Sequence, residues 1–209
     1  MPQDPETMYR WRRWTPQQRQ QILQERQDRH HPTHSPAHIQ SDHTSLYMIT
    51  AACFEHRPVI GDSDQRMADF SNSLCDVLVD VCEALFAWVV LPNHYHVLVD
   101  APELTPTLKQ LGKLHGRSSF NWNGEESRRG RQVWCNAAET AMKSEGHYYA
   151  TWNYILNNPV HHGYCLKWTE WPFSSANEYL ERVGREHALR IWRAYPIYDY
   201  GQHWDPPEF

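Results

Sequence analysis

The sequence predicts a mixed α+β fold: an antiparallel sheet packed with helices and flanked by an extension at each end. Three observations carry that prediction. Short apolar stretches at Leu46–Phe54, Leu85–Leu91 and His94–Asp100 read as strands. Longer stretches between them repeat apolar residues every three or four positions and read as helices. The order strand, helix, strand, strand, helix, strand, helix is that of a ferredoxin-like sheet.

Residues 1 to 43 read as an N-terminal extension. Within it Thr15-Pro16-Gln17-Gln18 carries the signature of a helix start, with Thr as cap and Pro at the first position. A polar helix running to about Arg29 would be broken by His-Pro-Thr-His-Ser-Pro. The main domain is read as residues 44 to 183. Leu46–Phe54 is its first strand. Asp62 or Ser63 caps a helix from about Asp64 to Cys82, whose buried face is marked by Met67, Phe70, Leu74, Leu78 and Val81.

Two strands, 85 to 91 and 94 to 100, are joined by a tight Pro92-Asn93 turn. Thr105-Pro106 opens a second helix through Leu108, Leu111 and Leu114. Asn121 to Gly130 reads as a polar linker and Gln132 to Asn136 as the fourth strand. A third helix starts near Ser144 or Glu145 and is expected to end before Pro159. Trp171-Pro172-Phe173-Ser174-Ser175 leads into a short helix through Val183. Residues 184 to 209 read as a C-terminal extension wrapping the domain, with a helical turn at Glu186–Trp192.

Composition narrows the class. The chain has 209 residues and a net charge of -5, which argues against a general nucleic-acid coat but not against local recognition. Basic charge is concentrated at Arg10, Arg12 and Arg13, and at Lys109, Lys113, Arg117, Arg128, Arg129 and Arg131. These are candidates for holding a phosphate backbone, with scattered solvated charge as the plain alternative. Five cysteines, none in a CxxC pair, suggest a reducing interior rather than a disulfide framework. No apolar leader or membrane-length run is seen, so the cytoplasm is the expected compartment, with no membrane partner.

The chemistry-bearing residues fall in two stretches. His94 and His96 are two apart at the start of a strand, so both imidazoles share a face. In Asn153-Tyr154-Ile155-Leu156-Asn157-Asn158-Pro159-Val160, Tyr154 and Asn158 are four apart and share a helix face. His147, seven before Tyr154, is an auxiliary candidate on that face. Two imidazoles and an amide oxygen can place a divalent cation against a phosphate, and a tyrosyl oxygen nearby is a credible nucleophile. Each residue also has an ordinary reading: hydrogen-bonded histidines, a core tyrosine, an asparagine helix cap. Trp122 and Trp134 are candidate stacking platforms for bases, with core packing as the alternative for Trp134.

Taken together these motifs resemble the REP-associated tyrosine transposases, a branch of the HUH single-tyrosine transposases related to the IS200 type. The matching pieces are Leu46-Tyr47-Met48-Ile49-Thr50, Trp88 to His96, Tyr154 to Val160 and Trp171 to Ser175, over roughly residues 44 to 180. The resemblance implies that His94, His96 and Asn158 hold Mg²⁺ or Mn²⁺. It implies that Tyr154 attacks a DNA phosphate, leaving a 5′-phosphotyrosyl link and a free 3′ hydroxyl. The implied substrate is single-stranded DNA beside a palindromic hairpin, cut and rejoined by a nucleoid-associated bacterial enzyme that acts as a monomer, with a dimer left open. Val133-Trp134-Cys135-Asn136 stands where family members often carry a Phe-Trp-Glu-like segment. Two other functions fit the same residues: a hairpin-binding protein that does not transpose, and a metal-dependent phosphodiesterase that uses water.

Overall fold

The computed structural model describes residue 15 and residues 45 to 198. The chain divides into two units, Met1–Ile39 and Gln40–Phe209, and every element below belongs to the second. The predicted N-terminal helix, Arg10, Arg12 and Arg13 lie outside the described residues.

The elements run β1 (Leu46–Ala52), α1 (Asp64–Val81), β2 (Ala84–Val90), β3 (His94–Asp100), α2 (Leu104–Glu125), β4 (Ala138–Ala141), α3 (Glu145–His161), α4 (Ala176–Val183) and α5 (Arg185–Ala194). The sheet order is β2-β3-β1-β4 and each neighbouring pair is antiparallel. This is the ferredoxin-like βαββαβ arrangement the sequence predicts. β3 lies between β1 and β2, and the first six of its seven residues are buried.

Strand alternation divides the core in two. Tyr95, Val97 and Val99 face a layer that includes Phe70, Leu74 and Leu78 of α1 and Leu111 and Leu114 of α2. Leu98, with Met48, Ala87 and Val89, faces Trp152, Tyr154, Ile155 and Leu156 of α3. Period-two geometry then places His94 and His96 on the α3 side of the sheet. Among the described residues no helix is long and apolar enough to cross a membrane.

Three expectations need correction. The fourth strand is Ala138–Ala141, not 132 to 136. Val133 and Trp134 are instead buried in the α1–α2 core, joined to the end of β1 by the isolated Cys53–Trp134 bridge, with Phe54 N–H donating to Val133 O at 2.6 Å and Cys135 N–H to Ala52 O at 2.9 Å. The true strand, Ala-Glu-Thr-Ala, has no apolar alternation to read; its register is set by pairing with Tyr47–Thr50 of β1. The linker at 121 to 130 is half helix, because buried Trp122 and Asn123 anchor a last turn of α2. The third helix does not end before Pro159 but runs to His161. Proline costs one intrahelical donor near the end, and the end is closed by His162 N–H to Asn158 O at 3.0 Å and Gly163 N–H to Val160 O at 3.0 Å.

Two caps fall where the sequence places them, while α2 starts at Leu104, ahead of the expected Thr105-Pro106, with Glu103 at its cap position. Ser63 Oγ accepts from Arg66 N–H at 3.2 Å, and Ser144 Oγ accepts from His147 N–H at 3.1 Å. Part of the C-terminal extension packs on the domain: Ala188 joins the α3-side core, and Asn153 Nδ2 donates to Tyr195 O at 2.8 Å.

An ion-pair cluster ties α1 to the end of α2. Arg66 donates to Glu126 Oε1 at 2.8 Å and Glu125 Oε2 at 3.0 Å, and Arg131 donates to both Glu126 oxygens at 2.7 and 3.1 Å. The guanidinium of Arg131, helped by Arg66, holds the Glu126 carboxyl down at about 2. A carboxyl lowered on folding stabilises above its unfolded range and loses that contribution as pH falls toward its folded value. Glu126→Gln is therefore expected to lower stability at pH 7 by about 1 kcal/mol, solvent screening allowed for. In urea titrations the gap to the parent should close between pH 5 and pH 2.

Candidate active site

The turn before β3 is built to hold its first histidine in place. Gly61 N–H donates to Pro92 O at 2.9 Å and Cys53 N–H to Asn93 O at 2.6 Å. A Cβ on Gly61 would stand 2.4 Å from Pro92 Cβ, so this close approach requires glycine. Asn93 Nδ2 donates to His56 O at 3.2 Å, from a loop in which Glu55 and His56 are left-handed at φ 59° and 49°.

Asn93 Oδ1 lies 2.5 Å from His94 Nδ1. A carbonyl oxygen can only accept, so His94 carries its proton on Nδ1 and its lone pair on Nε2. His96 Nδ1 shares a 2.6 Å hydrogen bond with Thr50 Oγ1 on β1, directly across the pair Thr50–His96. The two rings are 5.0 Å apart, and the side chains are 1% and 0% exposed.

Above them runs one stripe of α3. Tyr154 sets its ring 5.3 Å from His96, and His162, the residue closing the helix, sets its ring 5.1 Å from His94. Asn158 lies one helical turn from each, midway along the stripe. It is fully buried, and both its amide Oδ1 and Nδ2 have no hydrogen-bond partner. A buried amide without a partner costs about 1–3 kcal/mol, and such groups in native proteins call for an explanation. Sequence reasoning passed over three residues here: Thr50, Asn93 and His162. The continuation of the four-residue spacing past Pro159 was the signal for His162.

Other candidates are placed elsewhere. His147 sits at the start of α3, where its Nδ1 accepts from Lys143 N–H at 3.2 Å; burial, with Lys143 nearby, lowers its pKa. Tyr148 packs on Phe86 and Trp152, and Tyr149 stacks on Tyr195, so neither duplicates Tyr154 at the histidines. Trp122 is no stacking platform. It is 6% exposed and packs with Phe70 and Trp134 in the core. Trp134 is likewise core, stacked 4.3 Å from His115, with its indole N–H donated to Ser118 Oγ at 3.0 Å.

Arg131 is committed to Glu126 and to Asn123 Oδ1 at 2.9 Å, so its fork holds the chain to itself. Lys109, Lys113, Arg117, Arg128 and Arg129 are exposed. The three on α2 belong to the layer across the sheet from the histidines.

Among the described residues no group of three or more His, Cys, Asp or Glu is placed to hold a metal ion. The donor set that fits is of a different kind. It has two imidazoles, each held through its Nδ1, and the amide oxygen of Asn158, which has no internal partner. Two nitrogens and a neutral oxygen form an open set suited to a cation that also binds substrate oxygens.

No protein-family model matches the chain, and no curated protein matches it. Among solved structures it is similar to a REP-associated tyrosine transposase bound to a REP hairpin. Identity is 21% and the TM-score 0.53, over 84% of this chain and 94% of that one. It also aligns with a proposed transposase from Deinococcus radiodurans R1 at 18% identity and a TM-score of 0.36, over 59% of this chain and 97% of that one. The chain shares the fold of a REP-associated tyrosine transposase.

Proposed function

We propose that the chain is a REP-associated tyrosine transposase in the HUH class, a divalent-metal-dependent DNA nickase and strand transferase acting on single-stranded DNA beside a palindromic hairpin. One observation carries this reading. A single stripe of α3 aligns a tyrosine with His96, a histidine with His94 and a partnerless buried asparagine between them. A core built only for packing would fill the Asn158 position with an apolar side chain.

Tyr154 is the nucleophile. Its Oη forms a bond to phosphorus as the bond to the 3′ oxygen breaks; the phenolic proton is lost and the leaving oxygen gains one, giving a 3′ hydroxyl and a 5′-phosphotyrosyl link. Attack by another 3′ hydroxyl reverses the step and rejoins strands without water. A free tyrosine titrates near 10, so deprotonation needs assistance. His94, His96 and Asn158 would hold Mg²⁺ or Mn²⁺, which supplies charge neutralisation at the phosphate when bound. Asn93 and Thr50 orient the two imidazoles and fix which nitrogen faces the site. Asn93→Leu is expected to weaken Mn²⁺ binding about 10–100-fold by titration calorimetry, with Thr50→Val acting in the same direction.

A second reading, a hairpin binder that does not cut, is favoured by closure of the site: Tyr154, His94 and His96 are each 2% exposed or less. A phosphate reaches them only after covering side chains move. The two readings separate on a denaturing gel. Hairpin-bearing single strands labelled at the 3′ end, incubated with Mg²⁺ or Mn²⁺, should give a slow-migrating protein adduct if the strand transferase reading holds. Tight binding without adduct would favour the binder.

A further inference from the structure

The outer face of α2 is unlike the rest of this acidic chain. Between residues 104 and 124 there is no aspartate or glutamate. Glu125 and Glu126, at its end, are drawn to Arg66 and Arg131. At 3.6 residues per turn, Lys109, Gly112, Lys113, Gly116 and Phe120 fall within about 100° of arc, opposite the buried stripe of Leu111, Leu114, Ser118 and Trp122. All five are exposed. A Cβ on Gly112 or Gly116 would meet nothing, so the helix floor there is bare backbone open to solvent.

Phe120 ends this track. It is 66% exposed although large and apolar. The Arg129 guanidinium lies 4.3 Å from its ring centroid and donates to Phe120 O at 2.6 Å. The chain is shaped to bring that arginine back. Ser127 and Gly130 are left-handed at φ 54° and 86°. A Cβ on Gly124 would stand 2.4 Å from Arg129 Nη2 and 2.9 Å from its Cζ, so a side chain at 124 would displace the guanidinium. An exposed aromatic ring capped on one face by a cation, at the end of a lysine-lined backbone floor, matches the chemistry of an unpaired base on its phosphate chain.

We propose that this face of α2 is a binding track for single-stranded DNA, with one unpaired base stacked on the face of Phe120 turned away from Arg129 and the adjoining phosphates held by Lys113 and Lys109. The track lies in the layer across the sheet from His94 and His96, so it anchors a strand away from the point of cutting. The choice of DNA rests on the function proposed above; the binding itself needs neither metal nor Tyr154.

The test is fluorescence anisotropy of a labelled single-stranded oligonucleotide with the full chain, in chelator so that no strand is cut. Phe120→Ala should weaken binding about tenfold, Phe120→Trp should restore it, and neither should alter the melting of so exposed a position. Lys113→Gln should lower the slope of log affinity against log salt by about 0.7. Affinity for duplex should be insensitive to Phe120→Ala. Wild-type affinity unchanged by Phe120→Ala and Lys113→Gln, or no measurable binding by the parent, would overturn the track. Cutting and binding fail separately: a parent that never forms an adduct but loses strand affinity in Phe120→Ala keeps the track and loses the catalytic reading.

Discussion

Tyr154→Phe is expected to remove covalent attachment to DNA and to leave the fold standing. The ring stays against His96 and inside the α3-side core, and only the hydroxyl is lost. Removing one buried hydroxyl costs about 1–3 kcal/mol of stability. The rate, by contrast, should fall by about 10⁴-fold or more, as expected when the nucleophile itself is deleted. Tyr148 and Tyr149 do not substitute. Burial pushes the Tyr148 phenol up, which disfavours its anionic form, and Tyr149 is stacked on Tyr195. Single-turnover cleavage with the variant beside the parent checks this. Nicks that persist at the parent rate would assign the chemistry to water and to a phosphodiesterase.

Asn158→Leu is expected to move stability and activity in opposite directions. Leucine has nearly the shape of asparagine and no polar atoms to desolvate. At a fully buried site where both amide atoms lack a partner, the exchange should raise stability by about 1 kcal/mol. For a domain of this size that is roughly 2–4 °C in Tm. The same exchange deletes the oxygen assigned to the metal, so Mn²⁺ affinity and adduct formation should both collapse. Such a trade is the mark of a residue kept for function at a cost in stability. Calorimetric melting and Mn²⁺ titration on one preparation read both sides. A variant that melts lower than the parent would mean that Asn158 serves the fold, and the ligand assignment would lose its main support.

Much of this site is legible in the linear sequence because its parts sit on regular elements. His94 and His96 share a strand face by period two, and Tyr154 and Asn158 share a helix face by period four; both follow from spacing alone. That the strand face and helix face meet does not follow from spacing, and depends on α3 packing across β2 and β3. His162 was hidden by Pro159, which signals a helix end but here sits inside the last turns. Asn93 and Thr50 were hidden for another reason. Their part is to hydrogen-bond histidines, and Thr50 does so across a strand pair separated by 46 residues.

The misplaced fourth strand has a related cause. Val133-Trp134 has the apolar character of a strand yet is spent on the α1–α2 core, while the true edge strand carries no pattern of its own. Trp122 and Arg131 mislead similarly. An aromatic and a cation near basic residues suggest a nucleic-acid surface, but one is core and the other is bound to Glu126. Phe120 and Arg129, which carry the exposed stacking pair, differ from them only in burial and loop geometry. Neither quantity can be read from residue type.

The most direct test of the central claim is to find which side chain carries the DNA. A parent reaction with a hairpin-bearing single strand and Mn²⁺ would be digested with nuclease and trypsin and sequenced by tandem mass spectrometry. Cleavage after Lys143 and Lys167 releases one peptide holding Tyr148, Tyr149, Tyr154 and Tyr164. A nucleotide mass localised to Tyr154 is the predicted result. Localisation to any other tyrosine, or strand cleavage with no modified peptide, would contradict it.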